Sequence, residues 1–477
     1  MTTRLSPFRL SDPAFAALGA GRPDAGTLAT LRRAQLSRHL LLLREIRRAQ
    51  RGSPAWYTRL TRADPGEARR QIADPMTGLW AAHTLRTGGT EGPRPGGHSL
   101  RSTHGDLTLT VRLDDTDPLR SRLGLAPTGP LSDTEVTHWQ HCLDEAWRVL
   151  VVRHRAAAST MAAVLRVIVP VHPDPAAEGI SSTSAEAFGA VAMSPPADPV
   201  ALAVGLLHEV QHSVLNAVHQ LFELVLPGGE RGYSPWRDDP RPAFGILHGT
   251  YAYLSVTRFW RTEAAAGSRA GAFEFARWRT AVAESARALL PGGTLTAAGT
   301  RFVTALHEEV RPWLTDPVDS EVERLAGLAR EDHVARWRLR NLEVTPADAA
   351  ELARAWREGR PAPRVRSILG KALGRELENS PRARLAREMA KSGGANDPAA
   401  PPGGRVRAGD DALLRGDLGR ARVAYQKCLD FGNDDAWSGL SLVSPHEALR
   451  RNPELVRAAA LAIPEADVAA LADWLSQ

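Results

Sequence analysis

Two histidines four residues apart, with a glutamate directly after the first, stand at His208-Glu209-Val210-Gln211-His212 within "GLLHEVQHSVLNAVHQLFELV" (205 to 225). On a helix, residues i and i+4 lie one turn apart on one face, so His208 and His212 can aim two imidazole nitrogens at one ion. Glu209 sits beside them, within reach of a metal-bound water. Leu206, Leu207, Val214, Leu215 and Val218 surround this helix with apolar side chains, which predicts burial on most faces. A buried polar group without a partner costs about 1–3 kcal/mol. A metal ion would satisfy both histidines and the glutamate together, whereas a purely structural reading leaves each histidine to find a backbone carbonyl.

A third ligand must come from elsewhere. His219 follows His212 by seven residues and stays near the same face. The metzincin pattern requires glycine and histidine where Leu215 and Val218 stand, and no methionine follows before Met389, which excludes that class. Glu223, Glu230 and Glu263 are downstream carboxylates outside any recognisable motif. The preferred candidate is His248 in "PWRDDPRPAFGILHGTYAYLSVTRFW" (235 to 260), where a proline-stiffened loop leads into an apolar helix bearing one histidine near its start. The alternative for His248 is packing on an aromatic helix face.

These residues need elements to hold them. The periodicity predicts an α+β protein, mostly helical, with a small mixed or antiparallel sheet beside the buried histidine helix. "TLATLRRAQLSRHLLLLREIRRAQ" and "LSDTEVTHWQHCLDEAWRVLVVRHRAAAS" repeat apolar positions at helical spacing, the second opening with Ser132 and Glu135 as a capping box. "DLTLTVRLDD" alternates as a half-buried strand, "VLRVIVPVHP" (164 to 173) is a short β-branched run, and a further strand is expected around Phe188 to Met193. That last strand, if at a sheet edge, could pair with an extended peptide. A sheet whose final strand feeds the histidine helix is also the arrangement of zinc peptidases. The expected organisation is a helical region over 1–160, a catalytic region with following helices over 161–391, a Gly/Pro/Ala linker over 392–410 and a helical tail over 411–477. In that tail "GDLGRARVAYQKCLDFGNDDAWSGL" resembles one tetratricopeptide unit, with Ala421, Tyr425, Cys428 and Leu429 at the interlocking positions and Ala436-Trp437 beginning the next helix.

Composition narrows the partners. A hydrophobic fraction of 43% and a charged fraction of 24% are those of a folded protein. Of 60 basic residues only Lys371, Lys391 and Lys427 are lysine, and the arginines are spread along the chain with matching acids. No stretch interleaves aromatic with basic residues, so neither nucleic acid nor membrane is an expected partner despite the net charge of +6. With no apolar signal segment, a cytoplasmic location is expected. Two distant cysteines, Cys142 and Cys428, exclude a disulfide framework and a three-cysteine iron–sulfur motif.

Four segments together, "TSAEAFGAVAMS", "LLHEVQHSVL", "PWRDDPRP" and "ILHGTYAYLSVTRFW", resemble the HEXXH-motif peptide-modification family. "LATLRRAQLSRHLLLLREI" and "DPMTGLWAAHTLR" resemble its N-terminal helices, so the resemblance spans roughly residues 5 to 390. Members accompany ribosomally made peptide natural products, some fused to radical S-adenosylmethionine maturases. The resemblance implies an iron(II)- and 2-oxoglutarate-dependent dioxygenase that β-hydroxylates a precursor peptide, with Asp, Asn and His as candidate target residues. Here it would be the stand-alone form, and a radical S-adenosylmethionine maturase is a candidate partner. Carried over, His208 and His212 are metal ligands and His248 is the choice for the third. Arg237 and Arg241 are candidates for the distal carboxylate of 2-oxoglutarate, which a guanidinium binds in bidentate fashion, unless they only pair with Asp238 and Asp239. Glu209 would orient the site. Two other readings use the same residues: a zinc peptidase in which Glu209 deprotonates the metal-bound water, and a non-catalytic docking protein with a structural metal.

Overall fold

The computed structural model describes residues 7–50, 52–89, 91–175, 177–371, 380–393 and 406–477. Its architecture is the expected mostly helical α+β type with a small mixed sheet. Helices α1 (Asp12–Gly19), α2 (Ala25–Ala49), α3 (Ala55–Arg62), α4 (Pro65–Ala73) and α5 (Pro75–Thr87) open the chain. Four of them start where the side chain of Ser11, Asp24, Asp64 or Asp74 accepts a backbone N–H of the first turn, removing an orphan donor. Along α2 the buried Leu28, Leu31, Leu43 and Ile46 follow the helical period that the sequence predicts.

Strands β1 (His98–His104) and β2 (Leu107–Leu113) form an antiparallel hairpin. Leu109, Val111 and Leu113 of β2 are buried in alternation. Helix α6 (Asp133–Arg153) begins with the predicted capping box: Ser132 accepts from the Glu135 backbone, and the Glu135 carboxylate accepts from the Ser132 N–H at 2.8 Å. Ser132→Ala is expected to cost about 1 kcal/mol of stability, read as a lowered urea midpoint, because the Glu135 N–H of the first turn loses its side-chain acceptor.

After α7 (Arg155–Val164) come β3 (Val167–Pro170), β4 (Ser181–Thr183) and β5 (Ala190–Met193), giving a five-stranded sheet of order β1-β2-β3-β5-β4. The central pairs β2–β3 and β3–β5 are parallel, and the outer two pairs are antiparallel. All four residues of β3 and of β5 are buried. The strand expected around Phe188 to Met193 is therefore β5 and lies inside the sheet, bonded on both sides, so it offers no open edge to a peptide. The edge on that side is β4. Gly189, at φ +88°, immediately precedes β5 and touches the end of α7, where a Cβ would meet the Val164 carbonyl oxygen at 2.2 Å.

The chain then enters α8 (Pro199–Leu221), capped by Asp198, whose carboxylate accepts the Ala201 N–H at 2.8 Å, with proline at the first helical position. Beyond it, "GYSPWRDDPR" forms a hairpin of β6 (Gly232–Ser234) and β7 (Arg237–Arg241), where the sequence suggested only a stiff loop. Long helices follow: α9 (Ala243–Ala265), α10 (Arg269–Leu289), α11 (Ala297–Val310) and α12 (Ser320–Asn341). Two-residue strands β8 (Leu342–Glu343) and β9 (Ile368–Leu369) pair around α13 (Pro346–Arg357), before α14 (Pro381–Ser392). Of the expected linker, residues 394–405 lie outside the described residues, and its end is already helical in α15 (Arg407–Leu414). The tail continues through α16 (Leu418–Lys427), α17 (Asp434–Leu442), α18 (Glu447–Arg451), α19 (Pro453–Ala462) and α20 (Val468–Trp474). No helix among the described residues is long and apolar enough to cross a membrane.

The chain divides into two units that interleave along the sequence. The first comprises Met1–Gly229, Leu247–Thr262 and Val282–Leu314; the second comprises Glu230–Ile246, Glu263–Ala281 and Thr315–Gln477. Within the first, Phe15 of α1 meets Phe302 of α11 edge-on at 5.9 Å, and the Tyr251 hydroxyl of α9 donates to the Leu18 carbonyl at 2.7 Å. Within the second, the tail shares one apolar core with α12 and α13 through Leu339, Leu352, Tyr425, Trp437 and Val456. Arg382 of α14 is almost fully buried there, pairing with Asp332 and, at 2.7 Å, with Asp410, and donating to Ser438 Oγ at 3.0 Å. A buried guanidinium of this kind is stable only with all its donors met.

Candidate metal centre

His208, Glu209 and His212 lie in mid-α8, whose buried face carries Leu202, Leu206, Val214, Leu215 and Val218 into the core. The helix holds the two histidine side chains one turn apart, and their Nε2 atoms are 2.9 Å from each other. Two imidazole nitrogens bound to one ion at ~2.1 Å each, at roughly 90–110°, would lie about 3.0–3.4 Å apart, so the pair needs only a small adjustment to chelate. His208 Nε2 stands 4.0 Å from Glu209 Oε1. One donor atom from each of the three residues falls within 4.8 Å of the others, the condition for sharing an ion.

Burial sets the charge state. It lowers the His208 pKa to about 4, and holds His212 well below its ordinary 6.5, with repulsion from His248 and His208 adding to the shift. Both imidazoles are therefore uncharged at neutral pH, the form whose lone pair binds metal. His208 keeps about a quarter of its side chain exposed and so gives the centre its opening to solvent, while Glu209 is 1% exposed. Burial also pushes the Glu209 carboxyl up to about 7, against the hydroxyls of Ser181 and Thr183, which pull it down. Ser181 Oγ donates to Glu209 Oε1 at 2.7 Å. Oε2 of Glu209 and Oγ1 of Thr183 are buried and make no hydrogen bond of normal length among the described residues, the Thr183 hydroxyl acting on the carboxyl from slightly farther away. A buried carboxylate oxygen left without a donor is what a cation or a bound water would satisfy.

Edge strand β4, which supplies both hydroxyls, was not visible in the sequence reading. Three polar residues carry no alternation, and the only signal was their position between two predicted strands.

His248 of α9 joins the centre by stacking. Its ring lies parallel to that of His212, at 7° and 3.7 Å between centroids. Ring lone pairs lie in the ring plane, so a face-to-face stack presents those of His248 alongside, not toward, the ion position shared by His208 and His212. Ligation by His248 needs its ring to turn about its side-chain torsions. His208 meets His212 edge-on at 4.4 Å and Tyr253 edge-on at 5.3 Å, which braces it on both sides. The other candidate donors are placed differently. His219 Nδ1 accepts the Leu224 N–H at 3.1 Å, closing the end of α8, and Glu223 is exposed. Glu230 and Glu263 belong to the second unit, as do Arg237 and Arg241. Both arginines pair with the buried Asp239, Arg237 at 2.6 Å and Arg241 at 3.2 Å.

A search of protein-family models and of curated proteins finds no match to this chain.

The donor set can hold a divalent ion. Two neutral imidazoles with a nearby carboxylate suit zinc, and they equally suit the two-histidine-one-carboxylate arrangement that iron(II) favours. Uptake of cobalt(II), followed by its visible absorbance, is expected to persist from pH 7 down to about pH 5. The sign follows from the depressed histidine pKa values: the neutral form survives to lower pH than in an exposed pair, which would begin to fail near 6.5. If Glu209 also enters the coordination sphere, the ion must displace its proton below about pH 7, and affinity should fall roughly tenfold per pH unit there.

Proposed function

We propose that the protein is an iron(II)- and 2-oxoglutarate-dependent β-hydroxylase of a ribosomally made peptide, with His208 and His212 as metal ligands and His248 as the candidate third ligand. The observation that carries this reading is the pair of uncharged Nε2 atoms 2.9 Å apart on a buried helix. The resemblance of the segments around it to the HEXXH-motif peptide-modification family supplies the reaction class. Bound iron(II) would supply the open coordination positions and the redox capacity that oxygen activation needs. The chain's own residues do the rest: α8 fixes the spacing of the two imidazoles, Ser181 holds Glu209 in place, and the apolar surroundings limit water. Overall, one oxygen atom of O2 would enter the peptide as a Cβ hydroxyl, and the other would enter succinate as 2-oxoglutarate loses carbon dioxide. An extended peptide pairing with the sheet on this side would have to use β4, the edge strand that touches Glu209. In the tail, α15 to α17 are read as a tetratricopeptide-like unit, since Gly409 and Gly439 make room for the Tyr425 ring as small residues do in such stacks.

Zinc-dependent peptide hydrolysis is the second reading, and one observation favours it. Glu209, with a pKa near 7 and a partnerless Oε2, has the proton affinity of a general base for water. The deciding experiment is anaerobic reconstitution with iron(II), followed by 2-oxoglutarate, air and a precursor peptide encoded beside the gene, read by mass spectrometry. Hydroxylation adds one oxygen atom, about 16 Da, in step with succinate. Peptide fragments formed with zinc and without 2-oxoglutarate would establish the hydrolase instead.

A further inference from the structure

Helices α3, α4 and α5, with Pro93 and Pro95 of the following segment, enclose a cavity of about 330 Å³. His208, Glu209, His212 and His248 take no part in its lining. We propose that it is a docking site for an acidic peptide segment bearing one bulky apolar side chain. This extends the reading of a peptide substrate given above, but peptide binding here requires no metal.

The interior is apolar and rigid. Leu43, Leu60 and Ile72 line it with Trp56 and Trp80, whose rings meet at 63° and 5.4 Å. Both indoles are fixed by their own N–H groups: Trp56 donates to Gln50 Oε1 at 2.9 Å and Trp80 to the Glu91 carbonyl at 2.7 Å. The cavity is therefore formed before any ligand arrives, and its volume, at the small end of ligand sites, admits one large side chain.

Charge then selects the ligand. Arg112, which also lines the cavity, is paired with two carboxylates, Asp74 of the same lining and, at 3.1 Å, Asp114. No positive charge is thus left there for a carboxylate carried on a small molecule. Arg59 and Arg70 also line the cavity, but they are exposed and form no ion pair among the described residues. Their charge acts at the mouth. A ligand that satisfies both parts has its apolar group inside and its carboxylates outside, on one flexible backbone. An aromatic residue flanked by Asp or Glu has that layout; a free aromatic acid does not.

The test is fluorescence anisotropy with fluorescein-labelled Glu-Glu-Phe-Glu-Glu, and with the same peptide carrying Ala for Phe or Lys for Glu. Each is titrated with the full-length protein, with Arg59→Glu/Arg70→Glu and with His208→Ala/His212→Ala. The phenylalanine peptide is expected to bind saturably and more weakly as salt rises. Replacing Phe by Ala should weaken it about 10- to 100-fold, the loss of one buried side chain. The lysine peptide should not bind. Arg59→Glu/Arg70→Glu alters two exposed side chains and should weaken binding at least about tenfold while flattening its salt dependence. His208→Ala/His212→Ala should bind as the parent does, whatever becomes of hydroxylation, which separates this site from the metal centre. Equal binding of the alanine or lysine peptide overturns the proposal, as does unchanged binding by the arginine variant. Binding lost in the histidine variant would place the peptide at the metal, and 3-phenylpropionate competing as strongly as the peptide would make the cavity a small-acid site.

Discussion

His212→Ala protein is expected to retain almost no iron(II), zinc or cobalt(II) after desalting, where the parent retains about one equivalent. Structural zinc sites bind with about 10–16 kcal/mol shared over four ligands, so one imidazole accounts for roughly 3 kcal/mol, or a hundredfold and more in affinity. His212 has two further roles that raise this effect. Its Nε2 is the partner of His208 Nε2 at 2.9 Å, and its ring supports His248 face to face. Alanine removes the chelate and the stack together. His208→Ala should lose metal to a similar degree while keeping the stack. Metal content by mass spectrometry, beside near-native circular dichroism, checks the result. Retention of a full equivalent in both variants would falsify the assignment of these two residues as ligands.

Glu209→Gln is expected to make the metal-free protein more stable and to impair the proposed activity. A carboxyl whose pKa rises from 4.5 unfolded to about 7 folded opposes folding once it ionises. Stability contributed by its protonated form is full below about pH 4.5, declines as pH rises to 7, and is gone above that. With 1.36 kcal/mol per pKa unit, the cost at pH 8 is about 3 kcal/mol, and glutamine avoids it. The amide can still accept from Ser181, and its NH2 group can donate to the neighbouring Thr183 hydroxyl. With chelator present, the variant should melt several degrees above the parent at pH 8, the gain vanishing by pH 4.5. Under the proposed hydroxylase reading, product formation should drop roughly 10- to 100-fold, the usual effect of disturbing a group that supports metal ligands. An unchanged melting temperature would show that the glutamate is already solvated or paired in the metal-free protein.

The candidate site residues were legible where local rules govern. The i, i+4 spacing of His208 and His212 implies a shared helix face, and the capping box at Ser132 and Glu135 appears as read. The alternation in β2 and the β-branched run at 167–170 also gave strands, because burial of one or both faces leaves a pattern in the chain. Features set by distant contacts were not legible. Nothing in "SST" marks it as the strand that positions Glu209. The interior position of β5 depends on pairing with both β3 and β4, and the order of strands in a sheet leaves no mark in any one segment. The stacking of His248 on His212 is a ring orientation, and spacing cannot specify one. The arginines of β7 were expected to meet either a ligand or acids; in the structure they meet Asp239.

The interleaving of the two units bears on how the molecule is made. Its first unit is closed by Val282–Leu314, where Phe302 meets Phe15 and Tyr251. At roughly 5–20 residues per second, a ribosome takes about 5–20 s to travel from His212 to Leu314. For that interval the nascent polypeptide carries its histidine pair on a helix whose final neighbours have yet to be translated. Fragments ending at residue 229, however natural a cloning boundary, should emerge insoluble. Expression of the unit demands the whole span through Leu314.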